Sequence, residues 1–133
     1  MFEVCACLGT RSEALRQYGR LLGMVYHGCD DVGDVRGALA LGGGGKEDVR
    51  DGILTLPAAL AIRDTKLRKI FCKPQPSEAE LELLARANTD QLDEAERILD
   101  QIAQQAVAEA ERHAQDPAPL VALVQHTRRL SQQ

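Results

Sequence analysis

The sequence predicts an all-α protein, on three observations. Apolar residues recur at three- and four-residue intervals along most of the chain, the period of a helix with one buried face. No stretch alternates apolar and polar residues as a half-buried strand does, and β-branched and aromatic runs are few. Proline, glycine and short capping side chains stand between the periodic segments, where helices start and stop. The 133 residues suggest one domain or part of one, and no internal repeat is visible.

The elements follow in order. Phe2 to Leu8 open a helix that breaks near Gly9-Thr10. Ser12 can cap a second helix, on which Leu15, Tyr18, Leu22, Val25 and Tyr26 recur at helical spacing and which runs through Asp34. Gly42 to Gly45 read as a flexible loop. A third helix is expected from Lys46 to Asp48 onward, carrying Leu54, Leu56, Leu60 and Ile62, with Pro57 as a kink or a restart. Pro74, Pro76 and Ser77 punctuate the chain, and Ser77 with Glu80 forms a capping-box pattern. Two helices follow, over 77–87 and 89–114, the second with an apolar stripe of Ile98, Ile102, Ala106 and Ala110. Pro117 and Pro119 interrupt again, and Leu120, Leu123, Val124 and Leu130 give a short last helix.

Composition excludes several functions. Aromatic residues are 3% with no Trp, too few for a platform on which single-stranded nucleic acid stacks. A formal charge of -4 argues against a general binder of the phosphate backbone. No apolar run approaches the roughly 20 residues of a membrane span, and Met1-Phe2-Glu3-Val4 lacks the basic start of a secretion signal. A cytoplasmic setting follows as the expectation, with Cys5, Cys7, Cys29 and Cys72 as reduced thiols. Cys5 and Cys7 could be read as a metal pair, but residues two apart on a helix diverge by about 200°.

The chemistry concentrates in Tyr26-His27-Gly28-Cys29-Asp30-Asp31-Val32-Gly33-Asp34. On a helix Asp30, Asp31 and Asp34 fit within an arc of about 100°, with His27 on the same face. Crowded carboxylates repel by a few tenths of a kcal/mol per pair, and near a helix C-terminus the macrodipole disfavours them further. A divalent cation offsets both penalties, and oxygen-only ligands with room for water and phosphate suit magnesium. Two other readings stay open: a solvated acidic helix end, and a transition-metal site that includes His27. Gly42-Gly43-Gly44-Gly45-Lys46 fails the nucleotide-binding loop pattern, because Ala40 stands where its first glycine belongs and Glu47 follows the lysine. It reads as a connector, although its amides and Lys46 could reach a diphosphate beside the metal cluster.

Two segments together resemble the polyprenyl synthetase family, the trans-isoprenyl diphosphate synthases. Tyr18 to Asp34 is similar to the helix carrying the second aspartate-rich DDxxD motif, and Asp48-Val49-Arg50-Asp51-Gly52-Ile53-Leu54-Thr55-Leu56-Pro57 to the downstream D-L-x-x-G-K-x-T-L-P segment, in the same order and at a fitting separation. Phe2 to Ala6 looks like the preceding helix and Pro119 to Arg129 like the family's last one, so the resemblance spans residues 1–133 as a C-terminal half. It implies a partial isoprenoid-synthase helical bundle. It also implies transfer chemistry in which magnesium ions grip the diphosphate of an allylic substrate, and the allylic cation then condenses with isopentenyl diphosphate. By resemblance Asp30, Asp31 and Asp34 are metal ligands, while His27, Lys46 and Asp48 serve the substrate diphosphate or orient groups behind the metal. Where the family has glutamine, this chain has His27; where it has an apolar residue, Gly33; and its two lysines fall near Gly43 and on Ile53, with Lys46 a shifted replacement. The family's first aspartate-rich motif would precede Met1. The expectation is therefore a half that needs its N-terminal portion or a homodimeric partner, inactive alone. The alternatives are a non-catalytic helical partner of a complete synthase and a generic helical interaction module.

Overall fold

The computed structural model describes residues 1–10, 13–40 and 46–132. Every regular element among them is helical: α1 (Phe2–Thr10), α2 (Arg16–Ala40), α3 (Lys46–Arg50), α4 (Leu56–Ala61), α5 (Thr65–Phe71), α6 (Glu78–Asp90), α7 (Leu92–His113), α8 (Ala118–Arg128) and a closing 3-10 turn, Arg129–Gln132. The all-α class thus stands. Ser12 and Gly42 to Gly45 lie outside the described residues. No described helix is long and apolar enough to cross a membrane.

The chain divides into two units, Met1–Asp30 with Arg97–Gln133, and Asp31–Glu96, with the divisions falling inside α2 and α7. In the first unit α1 sits directly on the backbone of α2. A Cβ added to Gly19 would stand 2.5 Å from the Phe2 carbonyl oxygen and 2.8 Å from the Glu3 Cα, and one on Gly23 would be 3.1 Å from the Phe2 ring. Two glycines one turn apart therefore form the seat for α1, and Arg20 reaches Glu3 beside it at 3.3 Å. Tyr18, only 3% exposed, donates its hydroxyl to the Leu120 carbonyl of α8 at 2.9 Å, and burial pushes its pKa up to about 12. The buried Cys29 thiol donates to the Arg128 carbonyl, and burial raises its pKa as well. Arg128 in turn bonds Asp100 at 2.8 Å and the Ser131 hydroxyl at 2.7 Å, which ties the 3-10 turn to α7.

In the second unit α3, α4 and α5 pack on α6. Val49, Leu81 and Leu84 are its buried centre, with Leu67, Ile70 and Phe71 of α5 laid against them. The predicted capping box is present: Ser77 accepts from the Glu80 amide at 3.2 Å, and Glu80 accepts from the Ser77 amide at 3.1 Å. The Lys73 ammonium bonds the same carboxylate and, with that amide, holds it below its ordinary pKa.

Several boundaries differ from the sequence reading, each for a physical reason. The helix read as running through Asp34 does so and continues to Ala40, Arg36, Ala38, Leu39 and Ala40 being good helix formers. The single helix expected from Lys46 through Ile62 is two. Gly52, at φ +68°, ends α3; its amide turns back to the Val49 carbonyl and that of Ile53 to the Asp48 carbonyl. Pro57 restarts the chain as a first-turn residue of α4. The sequence reading contained no α5; Asp64 caps it by accepting from the amides of Lys66 and Leu67. On α7 the fully buried line is Ala95, Leu99, Ala103, Ala106 and Ala110, with Ile98 and Ile102 half-buried beside it. Tyr26, expected in the core, is 42% exposed; its ring meets those of Phe2 and His27, each at 5.6 Å between centroids.

Candidate functional site

Helix α2 presents its three aspartates unequally, and the reason is rotational. Val25, Cys29, Val32 and Val35 are buried and mark the inward face. At about 100° per residue, Asp30 points nearly opposite that face, Asp34 about 40° further round, and Asp31 lies on the flank next to Val35. Accordingly Asp30 and Asp34 are exposed and Asp31 is half-buried. Because α2 runs on to Ala40, all three sit before its last turn, and the macrodipole penalty expected of a helix end is relieved.

Asp31 is committed to the fold. Its Oδ2 accepts the Leu56 amide at 2.8 Å. That contact completes the N-terminus of α4, where four backbone amides lack intrahelical acceptors. Leu56 donates to Asp31, and Pro57 has no N–H to satisfy. Ala58 donates to the Thr55 hydroxyl at 3.3 Å, and the regular ladder begins with Ala59, which donates to the Thr55 carbonyl at 2.9 Å. The carboxylate also places negative charge at the positive end of α4. The sequence reading gave Asp31 to a metal alone and did not anticipate this role. The signal was present in Thr55-Leu56-Pro57, a capping threonine followed by a proline in the first turn.

The other candidates are placed as follows. His27 is exposed on α2 and edge-on to Tyr26. Lys46 and Asp48 are half-buried on α3, and the Asp48 carbonyl closes that helix against the Ile53 amide. Among the described residues no three histidine, cysteine or carboxylate side chains gather as a cation cage. Asp30 and Asp34, a turn apart and exposed, suit the mode in which magnesium takes one or two carboxylates and completes its shell with phosphate oxygens and water. The four thiols are free: Cys29 buried, Cys7 half-buried, Cys5 and Cys72 exposed.

Two grooves open in the first unit. One, of about 580 Å³, lies along α7 and α8 and is lined by Ala103, Val107 and Val124 with the Asp100–Arg128 pair; the other, of about 540 Å³, lies by Leu15, His113 and Leu120. Neither is lined by any of the six candidate residues. Compared with protein-family models, with curated proteins and with solved structures, the chain matches none.

Proposed function

We propose that this chain is one half of a prenyltransferase. In this reading Asp30 and Asp34 carry magnesium to the diphosphate of an allylic substrate, which condenses with isopentenyl diphosphate. One contact supports it. The family resemblance rests on two segments far apart in sequence, and Asp31 of the first accepts the Leu56 amide of the second, 25 residues on. A helix bearing an aspartate-rich motif and a Thr-Leu-Pro helix start are thus joined through the motif's own middle carboxylate. Asp30 and Asp34 stand on the exposed side of α2, with Asp48 and Lys46 as polar groups on α3. Magnesium held there would neutralise charge on the departing diphosphate. The chain carries one such motif, so the remaining carboxylates come from another segment or chain.

Calorimetry of magnesium binding with and without an allylic diphosphate tests the reading. Metal uptake should strengthen when diphosphate is present and vanish in Asp30→Asn/Asp34→Asn. Metal binding indifferent to both the diphosphate and the substitutions would refute it. The second reading, a non-catalytic partner of a complete synthase, draws on Ile53, which is 49% exposed where the family carries a lysine. It predicts co-purification with such a synthase and no diphosphate-dependent metal uptake.

A further inference from the structure

Residues 63–73, Arg-Asp-Thr-Lys-Leu-Arg-Lys-Ile-Phe-Cys-Lys, hold five of the chain's sixteen basic residues and one acid, in a protein of net charge -4. Helix α5 sorts them by face. Leu67, Ile70 and Phe71 share an arc of about 100° and pack on Val49, Leu81 and Leu84. Lys66, Arg68 and Lys69 take the rest of the circumference, with Arg63 just ahead of the helix, and all four are exposed.

Ion pairing separates these four from most of the other cations. Eight other cations stand within 3.5 Å of a carboxylate oxygen, among them Arg20 with Glu3, Arg50 with Glu78 and Lys73 with Glu80. Arg63, Lys66, Arg68 and Lys69 have no such partner among the described residues; Arg68 donates only to the Ile62 carbonyl, at 3.1 Å. The one acid of the segment, Asp64, is engaged with the amides that start α5. The packed inner face therefore leaves three cations on the outward side of α5, with Arg63 just ahead of it, and no carboxylate within ion-pairing distance among the described residues.

We propose that this basic side of α5 docks the protein on the anionic phospholipid headgroups of a membrane surface. Cations spread over the outward side of one short helix suit an extended array of anions better than a peptide, which is read by a groove or a sheet edge. A layer of headgroups offers several anions to these four cations at once. A nucleic acid duplex would meet a protein that is acidic elsewhere and poor in aromatic residues.

The test is co-sedimentation of the full chain with phosphatidylcholine vesicles made with and without phosphatidylglycerol, beside binding assays with duplex DNA and polyglutamate. Sedimentation with the anionic vesicles alone, reversed by high salt, is the expected result. Each cation near such a surface is worth about fivefold in partition, so Lys66→Gln/Lys69→Gln should weaken it by about 25-fold. Lys66→Arg/Lys69→Arg should bind as the natural chain does, and Arg86→Gln/Arg112→Gln, which removes paired cations elsewhere, should stay within about twofold. Equal uptake by neutral vesicles, insensitivity to salt, or equal losses in the two glutamine variants would overturn the proposal. So would binding of DNA or polyglutamate in place of vesicles. Should Lys66→Gln/Lys69→Gln unfold, Arg63→Gln, which lies outside α5, carries the same expectation of about fivefold.

Discussion

Replacing Asp31 with alanine separates a structural carboxylate from its exposed neighbours. The substitution removes the acceptor of the Leu56 amide, a bond of 2.8 Å to an ionised oxygen. Bonds of that kind contribute about 1.5–3 kcal/mol, and an anion at a helix N-terminus adds about 0.3–1 kcal/mol. Two effects reduce the loss. Relief of repulsion from Asp30 and Asp34 returns a few tenths of a kcal/mol, and the half-buried site lets water reach the stranded amide. The net expectation is a destabilisation of about 2 kcal/mol. Asp31→Asn, which keeps an acceptor oxygen but not the charge, should lose about half of that. Asp30→Ala, on the exposed face, should change stability by no more than about 0.5 kcal/mol. Urea unfolding followed by circular dichroism measures all three, and amide exchange at Leu56 reports the local effect. An Asp31→Ala protein as stable as the natural one, or Asp30→Ala equally damaged, would show that α4 does not depend on this carboxylate.

Other outcomes are equally open to measurement. Gly19→Ala places a methyl group 2.5 Å from a backbone oxygen, so α1 should detach from α2; limited proteolysis should then cut within α1 faster than in the natural protein. Ser77→Ala breaks the capping box and should cost about 1 kcal/mol, read from the urea midpoint. Tyr18 ionises at about 12 when folded, against about 10 when unfolded. Its raised pKa supports the fold fully below pH 10, and that support is lost as pH rises to about 12; ultraviolet titration should show its phenolate appearing with unfolding. Under native conditions Cys5 and Cys72 should react rapidly with a thiol reagent, and Cys29 only once the protein unfolds.

Helix positions were legible wherever a boundary had its own chemistry. Ser77 with Glu80 and Pro117 with Pro119 placed α6 and α8 to within a few residues. The signals were misread where one residue allowed two outcomes. Gly52 sits inside an apolar pattern that continues through Leu54, Leu56 and Leu60, so periodicity joined what its left-handed backbone separates. Helix α5 spans seven residues and packs three half-buried apolar side chains, too short for its period to stand out against its charges. On α7 the stripe's Ala106 and Ala110 are buried as read, while Ile98 and Ile102 stand beside the buried line and Ala95, Leu99 and Ala103 take their place in it. At the candidate site the carboxylates and their order were visible. That Asp31 accepts the Leu56 amide depends on a turn 25 residues away, and local spacing carries no such information.

A carboxylate held by the fold has consequences for how this protein can change over time. Asp31 would be costly to replace in any descendant that keeps this fold, because α4 needs an acceptor at Leu56 whether or not a metal is ever bound. Asp30, exposed on α2, has no such part in starting α4. Loss of the two adjacent acids would therefore be ordered, Asp30 before Asp31. A homologue that kept aspartate at the position of Asp31 and lost it at that of Asp30 would mark the carboxylate that the fold itself requires.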